Sequence, residues 1–210
     1  LFIRTALFND ISFNFEENTA TIGSGATFSQ VAEAASKYGL YVASGWATTV
    51  GIAGWSIGGG HGPLVPSSGL GVDNLVSVDI VLADGSFVTA NATSNSDLFF
   101  ALRGGGGSNW GVITSFTVRT HPQPDNGFTV ATAVWAGSLC NQGLNHLHSL
   151  VNSHLEWSLT LDSKWGGLTF ITPNFTSPLC PTWSLFSLYV YKGPQTDEDF
   201  TYNWNQKVSQ

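Results

Sequence analysis

Glycine is concentrated in two blocks of this chain, at places where bare main chain could bind an anion. The first block, "GIAGWSIGGGHGPL", begins at Gly51, and the second, "GGGGSNWG", begins at Gly104. Consecutive main-chain N–H groups that no side chain shields can bind phosphate oxygens without a lysine. Glycine also serves positive-φ turns and close packing of main chain, so those two structural roles stay open beside ligand binding.

His61 stands at the end of the first block and is the side chain there with the widest chemistry. A histidine at this place could donate a hydrogen bond to a ligand held by the glycines. It could equally hold its own loop by bonding a main-chain carbonyl. Both roles remain open for His61 at this point.

Two common phosphate-binding patterns do not fit these blocks. No Lys-Ser or Lys-Thr follows the glycines, as a P-loop requires. Gly51-x-x-Gly54 and Gly58–Gly60 lack the spacing Gly-x-Gly-x-x-Gly, and no acidic residue follows a second strand at the distance that a dinucleotide fold needs. We therefore predict a ligand that lies across several loops, with the second glycine block on its other side.

The elements before the first block predict strand, helix and strand. Residues 19–25 and 41–45 read as short strands closed by glycine. Thr27 and Gln30 have the spacing of a capping box, and Gly39 stands where a helix usually stops. Between them, helical spacing predicts one apolar face made of Phe28, Val31, Ala32, Ala35 and Tyr38.

The elements after the first block predict an α+β domain. Two β-rich runs flank Asp84-Gly85, which indicates a hairpin with a two-residue turn. A short helix capped by Ser94 or Ser96 precedes the second glycine block, and the strand that follows it ends at Pro122. Short strands mixed with helices are typical of the α+β class.

Composition changes near residues 123–127, where we place a domain boundary. Beyond it, residues 128–137, 166–175 and 182–193 read as strands. Thr196, followed by three acidic residues, reads as the first turn of another helix. The helix predicted between the first two of these strands has an apolar face made of Leu144, Leu147, Val151 and Leu155.

Charge and composition exclude some classes of function. The chain has 210 residues and a formal net charge of −7, and its seven Lys and Arg are scattered singly. No basic stripe exists that could neutralise phosphates, so we expect no nucleic-acid partner. No apolar run approaches the roughly 18 residues that cross a bilayer, so we expect no membrane span. His146 and His148 are two apart on a predicted helix and face different directions, so we expect no metal site there.

Several features indicate a secreted history. Asn91 and Asn174 each begin an Asn-x-Thr sequon for N-glycosylation. Cys140 and Cys180 are the only cysteines and could form one disulfide, although two buried free thiols would fit the sequence equally well. The chain has no methionine, so we expect it to be a processed or truncated product.

Two long stretches resemble a known family. They are "TVGIAGWSIGGGHGPLVPSSGLGVDNLVSVDIVLADGSFVTAN" and "DLFFALRGGGGSNWGVITSFTVRTHP". In this order they resemble the FAD-binding domain shared by vanillyl-alcohol oxidase and berberine bridge enzyme, and "GIAGW…GGGHGPL" is similar to the fungal secreted branch of berberine-bridge-like oxidases. The resemblance covers roughly residues 19–122.

The resemblance implies a use for the glycines. In this family FAD lies extended between two α+β subdomains, and amides of glycine-rich loops hold its pyrophosphate. The expected fold is thus the second FAD subdomain, a mixed sheet with flanking helices, in residues 1–122, followed by the start of an α+β substrate domain in residues 123–210. The implied cofactor-binding residues are Thr49, Val50, Gly51, Gly54, Trp55, Gly58, Gly59, Gly60, His61, Val112 and Ile113.

For some residues of the FAD-binding region, we expect a structural role rather than contact with a ligand. Asp73 and Asn74 fit a cap on the loop that enters the hairpin better than a ligand role. His121, which precedes a proline at a strand end, is also expected to be structural. Trp55 and Trp110 are expected to be packing residues rather than stacking partners for a substrate, and the resemblance also places Trp55 among the cofactor-binding residues.

This chain differs from other members of the family in residues for covalent flavin attachment and for catalysis. Members with doubly anchored flavin carry a cysteine in the loop where this chain has Ala47, so that covalent bond cannot form here. The histidine that provides the second anchor, and the region that holds the family's catalytic base, are expected outside these residues. We therefore expect a middle fragment, inactive alone, that needs the missing parts of its own enzyme.

The sequence leads to two hypotheses about function that experiments can distinguish. The first is an FAD-dependent oxidoreductase that transfers hydride from a small organic substrate to flavin, which O2 reoxidises. The second is a secreted carbohydrate-binding or adhesive β-rich module without flavin, which the eight Trp, the low charge and the sequons favour. The second offers no reason for the two glycine blocks.

Overall fold

We describe the protein by a computed structural model covering residues 2–107, 109–140, 143–175 and 179–193. The chain divides into two compact units, Leu1–Gln123 and Pro124–Gln210. Helices and strands are mixed in the first unit, so the predicted α+β class is confirmed. The helix predicted to start at Thr196 lies outside the described residues.

The first unit is built on a five-stranded sheet with short helices. Its strand order is β1-β2-β6-β4-β5, and a separate two-stranded sheet joins β3 to β7. We expected a mixed sheet, but all described strand pairs are antiparallel. Each strand of this sheet runs opposite to its neighbour, either through a hairpin or through a longer connection. In chain order the elements are β1 (Ile11–Asn14), β2 (Thr19–Gly23), α1 (Phe28–Ser36), β3 (Leu40–Tyr41), α2 (Ile52–Ile57), α3 (Val65–Ser68), α4 (Gly71–Asn74), β4 (Leu75–Val81), β5 (Phe87–Asn91), α5 (Ser96–Leu102), β6 (Val112–Arg119) and β7 (His121–Pro122).

Helix α1 begins as the capping-box pattern predicts. The side-chain Oε1 of Gln30 accepts a hydrogen bond from the Thr27 N–H at 2.9 Å. The next two N–H groups, of Phe28 and Ser29, donate to the carbonyls of the segment that leads into the first glycine block. The helix is therefore anchored to that segment. The predicted apolar face was too wide, because only Phe28, Val31 and Ala35 are buried while Ala32 and Tyr38 are exposed.

Two local predictions near β5 were wrong in detail. The hairpin loop has three residues and not two, because Leu82 still pairs with Ser86 through an N–H···O bond of 2.9 Å. Gly85 takes φ +85° at the last loop position, as the three-residue hairpin loop requires. Helix α5 is preceded by Asn95 in the left-handed conformation, and neither Ser94 nor Ser96 is its cap.

The core of the first unit lies between one face of the sheet and the helices. Apolar side chains from β2, β4 and β6 meet those of α1, α2 and α5. The largest fully buried side chains in this core are Ile22, Ile52, Val78, Ile80, Leu102 and Val118. This packing places α2 against the sheet and so sets which of its faces looks outward.

Asn74 joins the segment after the first glycine block to the sheet. It is 2% exposed, and its Nδ2 donates to the carbonyls of Ser68 at 2.9 Å and Leu70 at 2.8 Å. Its Oδ1 bonds Nε2 of His121 at 2.7 Å. The neighbouring Asp73 accepts from the Leu70 N–H. These contacts show the loop-capping roles that we expected for Asp73 and Asn74 and the structural role that we expected for His121.

The described part of the second unit pairs one helix with a three-stranded antiparallel sheet of order β8-β10-β9. The elements are β8 (Phe128–Ser138), α6 (Gly143–Ser158), β9 (Trp165–Asn174) and β10 (Thr182–Lys192). The structure joins Cys140 to Cys180 in a disulfide, which ties the end of β8 to the segment before β10.

The apolar face predicted for helix α6 is right in part. Leu147 and Val151 pack partly buried against the core, whereas Leu144 and Leu155 are exposed and the buried residues are Leu150, His154 and Trp157. The buried face is therefore rotated from the predicted one toward His154 and Trp157, which meet aromatic side chains of the sheet. His154 was missed for this reason.

His154 lies in a buried polar cluster between α6 and the sheet. Its Nε2 lies 2.9 Å from Oγ1 of Thr169 and 3.0 Å from the hydroxyl of Tyr189. Thr169 Oγ1 is in turn 2.9 Å from Oγ of Ser187. Burial lowers the pKa of His154, and it raises the pKa of Tyr189.

Replacing Asn74 by alanine should destabilise the protein strongly. The change removes the donor to the partly buried carbonyls of Ser68 and Leu70 and one hydrogen bond of the His121 ring, for a cost of about 2–3 kcal/mol in the free energy of unfolding. Urea unfolding followed by tryptophan fluorescence measures it. Asn9→Ala, at an exposed position, is the matched control and should change the free energy by less than about 0.5 kcal/mol. Equal effects of the two changes would contradict the role given to Asn74.

The stability of the second unit should fall in mild acid. The folded state keeps His154 neutral, whereas the unfolded chain takes up a proton near pH 6.5. The contribution of His154 is therefore complete above about pH 6.5 and declines as the pH falls toward the lowered pKa of the folded state. Thermal unfolding from pH 7.5 to 5 should show a smaller decline for His154→Gln, while the exposed His148→Gln keeps the original pH dependence. Parallel curves for all three proteins would refute this explanation.

Candidate functional site

Helix α2 exposes a face that carries no side chains. Gly51, Gly54 and Gly58 are spaced three and four residues apart, so they share one side of the helix, and all three are exposed. The opposite side buries Ile52, Ala53, Ser56 and Ile57 in the core. The sequence analysis did not predict a helix in this glycine block. Its apolar residues form one because the core, and not the intrinsic propensity of glycine, stabilises it.

Neither packing nor backbone conformation requires glycine at positions 51 and 54. A Cβ atom built on either residue meets no atom within 4 Å. Gly51 has φ −69°, which any residue adopts, and Gly54 lies inside the helix. Alanine would stabilise a helix interior by roughly 1 kcal/mol relative to glycine. A bound group that contacts the main chain of this face would account for glycine at both positions.

Other glycines of the same block have a packing role instead. Gly60 has φ +76°, and a Cβ atom there would lie 2.6 Å from Cα of Gly71. A Cβ atom on Gly71 would lie 2.5 Å from the ring of Trp55. The indole N–H of Trp55 donates to the carbonyl of His61 at 2.9 Å, and its ring meets Phe28 edge-on with centroids 5.1 Å apart. Glycine at 60 and 71 therefore makes room for Trp55.

A cavity of about 610 Å³ adjoins the bare face of α2 within the first unit. Helix α2 contributes Ala53, Gly54 and Ile57, and strand β6 contributes Val112 and Ile113. Pairing between β2 and β6 ends at Gly23 and Ser115. At Val112 and Ile113, therefore, the edge of β6 that faces away from β4 has no strand partner among the described residues. The remaining lining residues are Ile3, Thr5, Ser24, Val81, Leu82, Ala83, Asn109, Trp110 and Gly111.

The cavity lining is mainly apolar, and none of its described side chains carries a charge. Ser24, Thr5 and Asn109 supply the polar side chains. The hydroxyl of Ser24 is buried and has no hydrogen-bond partner in the structure. Such a surface fits a flat ring system with a few polar atoms, while the main chain of α2 beside it is available to an anionic group.

The second glycine block positions α2 more than it lines the cavity. The N–H groups of Gly104 and Gly106 both donate to the carbonyl of Ile57, at 3.1 and 3.0 Å. Both glycines have positive φ, of +115° and +79°, which explains the residue type. Of the residues that follow, Asn109, Trp110 and Gly111 do reach the cavity.

The structure brings some of the predicted binding residues together and separates others. Gly54, Val112 and Ile113 line one cavity, and Gly51 and Gly58 share the bare face of α2. Thr49 and Val50 precede that face and are exposed. Trp55, Gly59, Gly60 and His61 do not line the cavity.

Contacts within the protein account for tryptophan at position 55 and glycine at position 60. The ring of His61 is exposed and makes no hydrogen bond among the described residues, so the expectation that this side chain pins its own loop is not met. A cofactor contact for His61 stays a prediction.

Ser24 was missed because a single serine between glycines carries no sequence pattern. It follows the last residue of β2, and its N–H donates to the carbonyl of Thr114 at 2.9 Å. Its burial, 9% exposed, becomes visible only when α2 and β6 are placed around it.

Comparison with known proteins identifies the family. Residues 1–91 match the FAD binding domain family. Over 205 residues the chain is 32% identical to an uncharacterized FAD-linked oxidoreductase of Arthroderma benhamiae, covering 97% of this chain and 38% of that protein. The chain belongs to the FAD-linked oxidoreductases of the vanillyl-alcohol oxidase and berberine bridge enzyme type.

Solved structures agree with this family. The fold is similar to BBE-like 1 of Physcomitrella patens, with a TM-score of 0.81 and 28% identity over 97% of this chain and 41% of that one. It is also similar to a variant of berberine bridge enzyme, with a TM-score of 0.80 and 25% identity over 97% of this chain and 39% of that one. The chain spans between 18% and 38% of the length of its first curated relatives.

FAD is the cofactor of this family, and the site has the chemistry to hold it. The glycine face of α2 offers main-chain N–H groups to phosphate, and the apolar cavity beside it can take a ring system. Ala47 lies exposed in the loop before α2, so the first unit has no thiol there to bind flavin covalently. In the part of the chain that the structure describes, no His, Cys, Asp or Glu cluster could hold a metal ion. Helices able to cross a membrane are likewise missing from that part.

Alanine substitutions should separate the two kinds of glycine. Gly54→Ala should fold at least as stably as the original protein, because its methyl group meets open space inside the helix, and Gly51→Ala, at the N-cap, should lose less than about 1 kcal/mol of stability. Both should weaken FAD binding about tenfold or more, because their methyl groups displace the cofactor. Gly60→Ala should instead lower the melting temperature, because its φ is positive and its methyl group meets Gly71. Melting curves and titration of the flavin-free protein with FAD measure both effects. Normal FAD affinity in both Gly51→Ala and Gly54→Ala would contradict the proposed contact.

Proposed function

We propose that this chain is the cofactor-binding part of an FAD-dependent oxidase that oxidises a C–H bond next to oxygen or nitrogen in a small organic substrate. Membership in the FAD-linked oxidoreductases supports the proposal at the level of the reaction class. The observation that carries it is the bare face of α2, where glycine is retained at 51 and 54 although neither packing nor backbone conformation needs it.

The residues of the first unit bind and orient the cofactor in this proposal. Gly51 and Gly54, before and within the first turn of α2, present main-chain N–H groups to its pyrophosphate. The N–H of Gly58 donates to the carbonyl of Gly54, so Gly58 contributes only the lack of a side chain. The open edge of β6 at Val112 and Ile113 offers further main-chain groups on the other side of the cavity. Bound FAD supplies the two-electron chemistry, taking a hydride equivalent from the substrate and passing the electrons to O2.

The two units have different roles in the proposal. Residues 1–122 form the second FAD subdomain, and residues 123–210 begin the substrate domain. Because the chain spans under two fifths of its curated relatives, we assign the first FAD subdomain and the catalytic base to other segments of the same enzyme. We also propose that the protein is secreted and glycosylated at Asn91 and Asn174, on the basis of its sequons.

The alternative, a carbohydrate-binding module, finds little support in how the aromatic residues are placed. Trp157 and Trp183 are 2% and 4% exposed, and Trp135 and Trp165 pack partly buried against the same core. A sugar-binding platform needs exposed rings, whereas these four tryptophans build the interior of the second unit.

The oxidase proposal has a direct test on the protein at its full encoded length. The purified protein should be yellow, with a flavin absorption spectrum. Under argon, a substrate should bleach that absorption, and admitting O2 should restore it and release hydrogen peroxide. With Ala47 in place of the cysteine, mass analysis of flavin peptides should find at most one covalent link. A colourless protein that takes up no added FAD would overturn the proposal, as would exclusive binding to glycans.

A further inference from the structure

Among the described residues of the first unit, the hydroxyl of Ser24 is the one buried side-chain nitrogen or oxygen group without a hydrogen-bond partner. Ser24 is 9% exposed, and its Oγ is shielded from solvent. An unpaired buried hydroxyl costs about 1–3 kcal/mol. Natural proteins seldom leave such a group unpaired, so its position calls for a ligand or another partner.

The local chain directs Ser24 toward the cavity beside α2. In β2, Ala20 and Ile22 are buried on the face of the sheet that meets the helices, and Ser24 continues that alternation. Its own N–H is used by the carbonyl of Thr114, which fixes the backbone at this point. Ser24 is accordingly among the residues that line the cavity.

The two neighbours of Ser24 prevent it from moving away. A Cβ atom on Gly23 would lie 2.2 Å from the carbonyl oxygen of Phe8, and one on Gly25 would lie 2.1 Å from that of Thr5. The Gly25 N–H also donates to Phe8 O at 2.8 Å. The N-terminal segment therefore packs tightly on both sides of Ser24 and holds its main chain in place.

Among the described residues, no group forms a hydrogen bond with this hydroxyl. The parts of α2 and β6 that line the cavity are Ala53, Gly54, Ile57, Val112 and Ile113, whose side chains are apolar or absent. Thr5 and Asn109 line the same cavity but do not bond Ser24, so a molecule bound in the cavity is the partner that the site has room for.

We propose that Ser24 is a cofactor-binding residue whose hydroxyl donates a hydrogen bond to FAD within this cavity. The proposal rests on the proposed function, since it takes FAD as the ligand of the site. It adds a side-chain contact to a site otherwise formed by main chain and apolar groups. Such a donor orients the cofactor, because a hydrogen bond is directional and the surrounding apolar contacts are not.

Ser24→Ala tests the proposal through the melting temperature and the FAD affinity. A structural role of the hydroxyl would lower the melting temperature of the variant and leave its FAD affinity unchanged. Removing an unpaired hydroxyl should leave the melting temperature of the flavin-free protein unchanged or raise it. The same change should weaken FAD binding about tenfold, because the cofactor loses a buried donor. Both are measured on the protein at its full encoded length, prepared without flavin, by thermal unfolding and by titration with FAD.

Two further variants keep the result clear. Ser24→Cys preserves the size of the side chain but is a weak donor, so it should also weaken FAD binding. Ser187→Ala is the matched control, since Ser187 is a buried serine whose hydroxyl already bonds Thr169 within the second unit. It should lower the melting temperature and leave FAD affinity unchanged.

The outcomes separate this inference from the proposed function. Unchanged FAD affinity in Ser24→Ala, with the original protein binding FAD, would overturn the role of Ser24 alone and assign its hydroxyl to a trapped water. A lower melting temperature of the flavin-free Ser24→Ala protein would likewise overturn it, because the hydroxyl would then have a structural partner. Failure of the original protein to bind FAD would overturn the proposed function instead.

Discussion

The packing of Trp55 into a socket of glycines determines how the candidate site is presented. Its ring occupies the space that side chains on Gly60 and Gly71 would fill, and its N–H bonds the carbonyl of His61. Trp55 also meets Phe28 of α1, which ties α2 to the neighbouring helix. Trp55 follows Gly51 by four residues and precedes Gly58 by three, so it starts from their side of α2. Because its ring turns into this socket and the other side of α2 is buried in the core, the glycine face points outward and stays uncovered. The main chain of that outward face borders the cavity and is exposed to solvent.

One glycine-rich stretch therefore serves two physical purposes. Gly60 and Gly71 are glycine because the protein itself fills their side-chain space. Gly51 and Gly54 are glycine although nothing in the protein fills it. The first pair stabilises the fold. The second pair is explained by a ligand. Gly54, inside the helix, costs helix stability, which fits the tendency of functional sites to depart from the most stable local choice.

The sequence predicted much of the fold because its signals were local. The capping box at Thr27 and the strands on either side of Gly85 depend on neighbours a few residues away, and the structure shows both. Helix α2 was not predicted, and the buried face of α6 was predicted only in part, because distant parts of the chain decide them. Glycine disfavours a helix on its own. Of the predicted face of α6, Leu147 and Val151 pack on the sheet while Leu144 and Leu155 are exposed.

The candidate site could be located from sequence only in part. Ordered glycine blocks and the family resemblance pointed to Gly54, Val112 and Ile113, which the structure places around one cavity. They could not distinguish glycines that contact a ligand from glycines that contact Trp55, because that difference depends on the space around each Cβ. They could not indicate Ser24 either, since its burial arises from three elements that are far apart in the chain.

Hydrogen–deuterium exchange of the protein at its full encoded length, with and without FAD, tests the central claim most directly. If the bare face of α2 contacts the cofactor, FAD should slow the exchange of main-chain amides in residues 48–58 and 109–114. Residues 60–71, whose glycines pack against Trp55, should exchange at the same rate in both states. Saturating FAD that leaves the amides of residues 48–58 exchanging as before would contradict the account.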